Sequence, residues 1–434
     1  MARVRILSLF VSSALAASLA PSALAAGGGL NGVTQRVSLN HLSQQVFSAS
    51  SRPSLSRDGS RVAFETDAAL LPADTNATTD IYVFDRTSGV LTLASNTVGG
   101  APANGASRYA SLSGDGRWVA YETAATNAIG FDLNANWDVM LRDLNTGALK
   151  RVSSLPGSVF AANEGGRRPY VSFDGRYVVF DTYSEDFSAL DSNSAHDVYV
   201  RDMQLDVFEL VSVGFFAQGN AGSIAARISD DGRYVVFESD ASNLAAGDTN
   251  GASDVMLRDR QTGALSIVSR IPGGAVGNGA SYGASLSADG RYVAFSTFAT
   301  NLKFGDANGG DDVFVLDRVT SALSHASATP SGNFTNSSGG SGAALAADGR
   351  SIAFISAAPD LIAGGSPFLS VYVRELQSGV TRLASRPSGF TGLPNGSSYR
   401  PSLNGDGSVV AFDSAATNLV LGDVNLQSDV FVRT

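Results

Sequence analysis

The chain contains 434 residues, and its 40 acidic and 30 basic residues give a formal net charge of −10. Lys150 and Lys303 are the only lysines, and the arginines are scattered along the chain. Such a surface is poorly suited to neutralising a phosphate backbone, so we expect no nucleic-acid partner. The chain also has no cysteine. Disulfides and a lipid-modified N-terminal cysteine are therefore excluded, and side-chain packing must supply the stability.

Residues 1–25 have the pattern of a secretory signal. Two arginines precede an apolar stretch, and Ala23 and Ala25 form an Ala-x-Ala cleavage site. The mature chain is expected to begin near Ala26, with residues 26–32 as a short linker. No later segment is long and apolar enough to span a bilayer. The sequence therefore predicts a periplasmic or secreted protein.

Three landmarks recur seven times, 58 residues apart on average. The first is an Asp-Gly turn, at Asp58, Asp115, Asp174, Asp231, Asp289, Asp348 and Asp406. The second is the start of an apolar run such as IYVF, at Ile81, Val139, Val198, Val255, Val313, Val371 and Val430. The third is the serine of a Val-Ser or Ala-Ser dipeptide, at Ser38, Ser95, Ser153, Ser212, Ser269, Ser327 and Ser385. Such a period indicates a repeat protein.

Each unit is predicted to contain four short strands. The first has small residues, as in PSLS from Pro53, and it turns through Asp-Gly, a strong hairpin signal. The second is a continuous apolar run, as in RYVVF from Arg176, which suits a strand covered on both faces. A long loop leads to the third strand, and a turn such as Thr-Gly leads to the fourth. Four-stranded antiparallel sheets repeated radially form a β-propeller, and the small residues of the first strand suit the crowded axis. We therefore predict an all-β, seven-bladed propeller.

The two ends of the chain indicate how the ring closes. The seventh unit stops within its third strand, at Val430–Arg433, and has no fourth. An unmatched strand, VTQRVS from Val33 to Ser38, precedes the first unit. If these segments pair, all seven blades hold four strands and no sheet edge is left open. The sequence thus predicts a single propeller domain over residues 33–434, with Val33–Ser38 completing the last blade.

The repeat unit resembles that of a known family. The pattern SLSxDGRYVAFxS, then DVFVRD, a Thr-Gly turn and LxxVS is similar to the WD-like propeller repeat of TolB and its relatives, over roughly residues 33–434. TolB is a periplasmic component of a cell-envelope complex and joins an α/β domain to six blades. This chain has seven repeats and no room for the extra domain. The resemblance therefore implies a TolB-like propeller in the periplasm or outside the cell, but not TolB itself or its partners.

The loop between the second and third strands carries the most conspicuous polar pattern. In six units an Asp is followed by Asn two residues later and by a second Asp six residues after the first. Oxygen ligands at alternating loop positions suit calcium, although the further ligands of an EF-hand are missing. The calcium candidates are Asp74, Asn76, Asp80, Asp132, Asn134, Asp138, Asp191, Asn193, Asp197, Asp248, Asn250, Asp254, Asp306, Asn308, Asp312, Asp423, Asn425 and Asp429.

Loop architecture is the favoured alternative to calcium, because Asp and Asn side chains bond to nearby backbone in Asx turns. Binding of a ligand or partner is a third interpretation. The sixth unit departs from the pattern, since its loop contains Gly365, Ser366, Pro367 and Phe368 and lacks both carboxylates. This apolar sector marks either a binding sector or sequence drift.

Few residues suggest catalysis. Gly279 to Gly283 matches the Gly-x-Ser-x-Gly nucleophile elbow, but a short strand follows where that chemistry needs a strand-to-helix turn, so the match is read as accidental. The three histidines, His41, His196 and His325, fall at different points of the repeat. We interpret them as surface or turn residues. We expect no catalytic residue and no cofactor other than calcium.

The leading functional hypothesis is a non-enzymatic exported scaffold, expected to be monomeric, that binds another envelope protein or an extracellular ligand. Its long loops should emerge on one face, and loops on a rigid scaffold commonly carry recognition. One alternative is a secreted polysaccharide lyase or hydrolase that uses loop carboxylates. Some TolB-like propellers are sugar-acid lyases with a histidine-rich metal site, and the shortage of histidine counts against that activity. Another alternative is a calcium-stabilised structural protein of the cell surface.

Overall fold

A computed structural model describes residues 32–130, 132–158, 160–214, 217–388 and 392–434. Within these residues the strands form seven separate four-stranded antiparallel sheets. The inner strands of consecutive sheets contact one another, and the last contacts the first, so the sheets form a closed ring. The seven-bladed propeller is therefore confirmed. The predicted signal lies outside the described residues, and its cleavage stays a prediction.

The strands, in chain order, are β1 (Thr34–Arg36), β2 (Ser50–Leu55), β3 (Arg61–Thr66), β4 (Asp80–Asp85), β5 (Leu91–Leu93), β6 (Ser107–Leu112), β7 (Trp118–Thr123), β8 (Asp138–Asp143), β9 (Leu149–Arg151), β10 (Arg167–Val171), β11 (Tyr177–Thr182), β12 (Asp197–Asp202), β13 (Val207–Leu210), β14 (Ser223–Ile228), β15 (Tyr234–Ser239), β16 (Asp254–Asp259), β17 (Ala264–Ile267), β18 (Ser281–Leu286), β19 (Tyr292–Thr297), β20 (Asp312–Asp317), β21 (Ala322–His325), β22 (Ser341–Leu345), β23 (Ser351–Ser356), β24 (Ser370–Glu375), β25 (Thr381–Leu383), β26 (Ser398–Leu403), β27 (Val410–Ser414) and β28 (Asp429–Arg433). A 3-10 turn, Glu185–Phe187, lies between β11 and β12. Blades 1 to 6 take four consecutive strands each, from β2–β5 to β22–β25, and blade 7 consists of β26, β27, β28 and β1.

The middle strands of each blade are apolar on both faces because neighbouring blades pack against them. In β3, Val62, Ala63 and Phe64 are fully buried, and Ile81 and Tyr82 are fully buried in the adjacent β4. Among the described residues, side chains from adjacent blades form seven hydrophobic clusters around the ring. The core is therefore a ring of interfaces between blades and has no single centre.

The predicted closure of the ring is confirmed. Strand β1 pairs with β28 in an antiparallel register that places Thr34 opposite Arg433 and Arg36 opposite Phe431. A further backbone hydrogen bond runs from the Val37 N–H to the Val430 carbonyl oxygen, at 2.9 Å. The first residues of the domain thus complete the sheet formed by the last ones.

A hydrogen bond explains why the serine of the Val-Ser or Ala-Ser dipeptide recurs together with the start of the third strand. The Ser95 hydroxyl donates to Asp80 Oδ1 at 2.5 Å and accepts from the Ile81 N–H at 3.0 Å. The same contact joins the ends of the chain, since the Ser38 hydroxyl donates to Asp429 Oδ1 at 2.6 Å. The serine at the end of the fourth strand thus fixes the start of the third strand in the same blade.

The arginine of the DVFVRD pattern connects neighbouring blades. Arg142 Nε donates to the carbonyl oxygen of Ala94 in the preceding blade at 3.0 Å. Arg258 donates to the carbonyl oxygen of Val211 from Nε and Nη2, at 3.2 and 3.0 Å. Burial lowers the pKa of Arg258. These buried guanidinium groups satisfy carbonyl oxygens at the edge of the neighbouring sheet.

Candidate functional site

The inner strands of all seven blades surround a cavity of about 410 Å³ on the axis of the ring. We use the term loop face for the side that carries the loops between second and third strands. The turn face is the opposite side, which carries the Asp-Gly turns. Each inner strand starts at the loop face and ends at the turn face, so its residues line the cavity in successive layers.

Every inner strand has a β-bulge near the loop face. One bulge residue in each blade has a positive φ, which favours glycine: Arg52 (φ 51°), Tyr109 (φ 54°), Arg168 (φ 47°), Ala225 (φ 55°), Gly283 (φ 63°), Gly342 (φ 66°) and Arg400 (φ 50°). Bulges redirect side chains, and here the bulge residues line the mouth of the cavity. The expectation of small residues at the axis is therefore wrong for blades 1, 2, 3 and 7, and also for blade 4, whose Arg227 lines the cavity two residues after its bulge residue.

A carboxylate from the preceding blade holds the bulge in most blades. Glu122 Oε2 accepts a hydrogen bond from the backbone N–H of Arg168 at 2.8 Å, and Glu238 Oε1 accepts one from Gly283 at 2.7 Å. Longer contacts of the same kind, at 3.1 to 3.4 Å, join Glu65 to Tyr109, Asp181 to Ala225 and Asp413 to Arg52. Burial between the blades raises the pKa of Glu122 and of Glu238, and it raises the pKa of Asp413 to about 6.

The charged side chains that line the cavity are all arginines in the described part of the chain, namely Arg52, Arg168, Arg227 and Arg400. Arg168 donates from Nε and Nη2 to both oxygens of Asp181, at 2.8 and 2.7 Å. Arg400 Nη1 lies 2.9 Å from Asp413 Oδ2. These acids lie behind the arginines and are not part of the cavity wall. The wall therefore presents guanidinium N–H groups to a ligand.

A contact across the axis narrows the channel at the turn face. Arg57 of blade 1 forms an ion pair with Asp230 of blade 4. Its guanidinium carbon also lies 4.8 Å from the centre of the Phe173 ring in blade 3. The backbone N–H of Arg57 donates to the carbonyl oxygen of Gly114 at 3.0 Å. The cavity therefore opens mainly toward the loop face.

A second group of polar residues lies beside the cavity mouth, between blades 3 and 4. His196 Nδ1 lies 3.0 Å from Asp181 Oδ2, and this contact becomes an ion pair when the imidazole is protonated. The His196 ring packs on Tyr183, with ring centres 3.7 Å apart. Arg168 and Glu238 line the same depression, whose volume is about 420 Å³. His196 is thus part of a charged cluster and not an isolated turn residue.

The other sequence candidates for catalysis lie elsewhere. His41 is in an exposed loop, as expected, whereas His325 is buried with Nε2 3.0 Å from Asp312 Oδ1. The interpretation as a surface or turn residue is therefore wrong for His325, because its ring fills space between β20 and the loop that follows β21. Ser281 is buried and its hydroxyl donates to Thr297 Oγ1 at 2.9 Å. That hydroxyl is not presented to solvent as a nucleophile.

The Asp-x-Asn loops make contacts that support loop architecture. In blade 3, Gln218 Nε2 donates to Asp191 Oδ1 at 2.6 Å and to Asp197 Oδ2 at 3.1 Å, which bridges the two carboxylates. Asn193 Oδ1 accepts from a backbone N–H two residues later at 2.8 Å, and Nδ2 donates to the Gly219 carbonyl oxygen at 2.9 Å. The asparagine therefore fastens one loop to the next with both ends of its amide.

The loop of blade 1 fits a cation better than those of blades 3 and 7. Asp74 and Asp80 each keep one buried oxygen without a hydrogen-bond partner. Burial, together with the charge of Asp74, raises the pKa of Asp80 to about 6. In blade 7, Arg36 lies 3.4 Å from Asp423 and 3.3 Å from Asp429 and takes the place of a cation. No three His, Asp or Glu side chains in the described part of the chain converge as a metal site, and calcium binding stays a prediction.

The loop of blade 6 lacks this arrangement. Ser370 replaces the second aspartate and donates to the Phe368 carbonyl oxygen at 3.0 Å. Ser366 is buried, and Phe368 is partly exposed. This loop therefore lacks the paired carboxylates of the other blades, although it retains Asp360, which accepts a hydrogen bond from the Asn336 N–H at 2.9 Å. The role of this sector in binding stays a prediction.

Comparisons with known proteins identify the fold. No protein-family model and no curated protein match the sequence. Among solved structures, an oligogalacturonate lyase in complex with manganese is 14% identical, with a TM-score of 0.57 and 92% of each chain covered. The β-propeller domain of the Trilobed protease from Pyrococcus furiosus is 11% identical, with a TM-score of 0.51, over 89% of this chain and 96% of that one. TolB from Acinetobacter baumannii is 13% identical, with a TM-score of 0.39, over 82% of this chain and 76% of that one.

These similarities support a β-propeller, and at such identities they show the fold alone. Among the described residues, no helix has the length and apolar character needed to cross a bilayer.

Proposed function

We propose that the protein is a non-enzymatic, exported binding scaffold whose axial cavity receives a ligand from the loop face. The observation that carries the proposal is the shape and chemistry of the cavity. It is lined by every blade, narrowed by Arg57 and Asp230 at the turn face, and walled by four arginines. The acids paired with Arg168 and Arg400 lie behind them, outside the cavity wall. Concave sites with a few convergent polar groups are the usual form of ligand sites.

A comparison of captured material tests this function. Immobilised protein is exposed to periplasmic extract and to culture medium, with calcium and with EDTA, and the retained components are identified by mass spectrometry. Ala344→Phe fills the cavity from its wall, and Ala322→Phe adds the same ring on the exposed outer strand as a control. We expect a component that wild type and Ala322→Phe retain and Ala344→Phe loses. Equal retention by all three proteins would contradict a role for the cavity.

The cluster at the cavity mouth favours a second candidate function, a secreted polysaccharide lyase or hydrolase. A histidine next to a buried carboxylate is a suitable general base, and His196 Nδ1 lies 3.0 Å from Asp181 Oδ2. Arg168 lies in the same depression, and the guanidinium N–H groups that Asp181 does not use would donate to a sugar carboxylate. A panel of plant and bacterial glycans, assayed for reducing ends and unsaturated products, tests this activity. Turnover that His196→Ala abolishes and His41→Ala leaves unchanged would favour the enzyme over the scaffold.

A further inference from the structure

A second layer of residues lies below the arginines of the cavity mouth. The equivalent position in each inner strand, two residues after the bulge residue, is occupied by Ser54, Ser111, Tyr170, Arg227, Ser285, Ala344 and Ser402 in blades 1 to 7. All of them line the cavity. In a ring of seven blades, blade 4 faces blades 7 and 1. Arg227 therefore faces the side of the ring that carries Ser54 and Ser402.

Among the described residues, the serine hydroxyls of this layer accept hydrogen bonds but do not donate them. Ser54 Oγ accepts a hydrogen bond from the Leu112 N–H at 3.0 Å, and Ser402 Oγ accepts one from the Leu55 N–H at 3.1 Å. Ser111 and Ser285 make the same contact with the following blade, at 3.2 and 3.0 Å. A hydroxyl that accepts in this way still carries one donor hydrogen. Among the described residues these hydroxyls have no acceptor, so their hydrogens are available to a ligand in the cavity.

Arg227 differs from the other cavity arginines in how it is held. Its Nη1 donates to the carbonyl oxygen of Ala226 at 3.0 Å, and its guanidinium carbon lies 5.0 Å from the centre of the Tyr170 ring. Within the described residues no carboxylate forms an ion pair with Arg227, although its positive charge interacts electrostatically with Glu238. A guanidinium group held by ring stacking presents its remaining N–H groups as a planar fork, which matches a carboxylate.

We propose that Arg227 and the opposing hydroxyls of Ser54 and Ser402 form a subsite for the carboxylate group of a small hydroxylated acid. This subsite deepens the proposed binding function and rests on it. The narrowing at the turn face favours a small ligand, and a volume of about 410 Å³ accommodates one of the size of a sugar acid. The arginines of the mouth and the remaining hydroxyls would bind the hydroxyl groups of the same ligand.

Calorimetric titration with glucuronate and with glucuronamide tests the subsite, since the two probes differ only at the carboxyl group. We expect glucuronate to bind and glucuronamide to bind about tenfold to hundredfold more weakly, because hydrogen bonds to charged groups contribute that much. Arg227→Gln should weaken glucuronate binding by a similar factor and leave glucuronamide binding unchanged. Arg318→Gln is the matched control, because Arg318 also stacks on a tyrosine, Tyr234 at 4.1 Å, but lies outside the cavity.

Further variants keep the test decisive. Arg227→Lys retains the charge and should bind glucuronate between wild type and Arg227→Gln, and Ser402→Ala should weaken binding severalfold. Thermal unfolding checks that each variant is folded. Equal binding of the two probes, or no binding of glucuronate to folded wild type, would overturn the carboxylate subsite. The scaffold function would survive either result if Ala344→Phe still abolished the capture of a component from periplasm or medium.

Discussion

Replacing Asp80 by asparagine should stabilise the protein at neutral pH. Asp80 is fully buried, and burial together with the nearby charge of Asp74 raises its pKa from 3.8 to about 6. The folded state therefore binds this proton more tightly than the unfolded state does. The stability of the wild type should then fall as the pH rises from about 4 to about 6, and the full penalty is present above that range.

The size of the effect follows from the pKa shift. A shift of about two units corresponds to about 3 kcal/mol at neutral pH, as an upper limit. Asparagine at position 80 keeps an oxygen that can accept a hydrogen bond from the Ser95 hydroxyl. Its NH₂ group can donate toward Asp74, so the repulsion between the charges of Asp80 and Asp74 is removed. We expect Asp80→Asn to be more stable than wild type by about 1–3 kcal/mol near neutral pH.

Urea unfolding in EDTA, at about pH 7.5 and at about pH 4.5, measures this difference. The advantage of Asp80→Asn should shrink by about 2 kcal/mol at the lower pH, where wild-type Asp80 is largely protonated. Asp259→Asn is the opposite control, because Arg233 holds the pKa of Asp259 at about 2 and the variant should be less stable near neutral pH. If Asp80→Asn brought no gain at about pH 7.5, or the same gain at both pH values, the reasoning would be refuted.

Three further changes probe the loops, the closure and the blade interfaces. Calcium should raise the melting temperature of wild type but not that of Asp80→Asn. At a hundredfold excess of calcium over its dissociation constant, the wild type should be stabilised by about 2.7 kcal/mol. An unchanged melting temperature in EDTA and no heat of calcium binding would rule the metal out. Ser38→Ala should cost about 2 kcal/mol in urea unfolding, the same as Ser153→Ala in blade 2, because each removes the hydroxyl that pairs with one buried carboxylate oxygen and one backbone N–H. A much smaller loss for Ser38→Ala would show that the closing sheet is not equivalent to the others. Arg258→Met should also cost about 2 kcal/mol by removing donors to Val211, whereas Arg350→Met, at a side chain that is 79% exposed, should change stability by less than about 0.5 kcal/mol.

The architecture could be predicted from the sequence because each blade is assembled from contacts within one repeat. The serine at Ser95 and the aspartate at Asp80 lie in the same unit and bond to each other, so their spacing recurs wherever the blade recurs. The closure was predictable for the same reason. The last repeat lacks its fourth strand, and an unmatched strand precedes the first repeat, so pairing these two segments completes the last sheet. The hydrogen bond from the Ser38 hydroxyl to Asp429 joins them.

The site could not be predicted in this way, because its residues come from different repeats. The arginines at positive φ, such as Arg52 and Arg400, reach the axis through bulges that the residue type does not indicate. Comparing the same inner-strand position across the seven units shows arginine or tyrosine in blades 7, 1, 2 and 3 and alanine or glycine in blades 4, 5 and 6, a signal that the sequence contains.

The sequence by itself thus determined the number of blades, the order of strands and the joining of the ends, since these depend on local spacing. Tertiary structure alone decided that Arg227 and Ser54 both line the axial cavity and that His196, in the loop between β11 and β12, lies beside Asp181. The physical reason is that a closed ring brings together one residue from each repeat. The number of blades sets which repeats oppose one another, but the bulges that line the axis with these unlike side chains form only in the folded sheets, and no spacing along the chain records them.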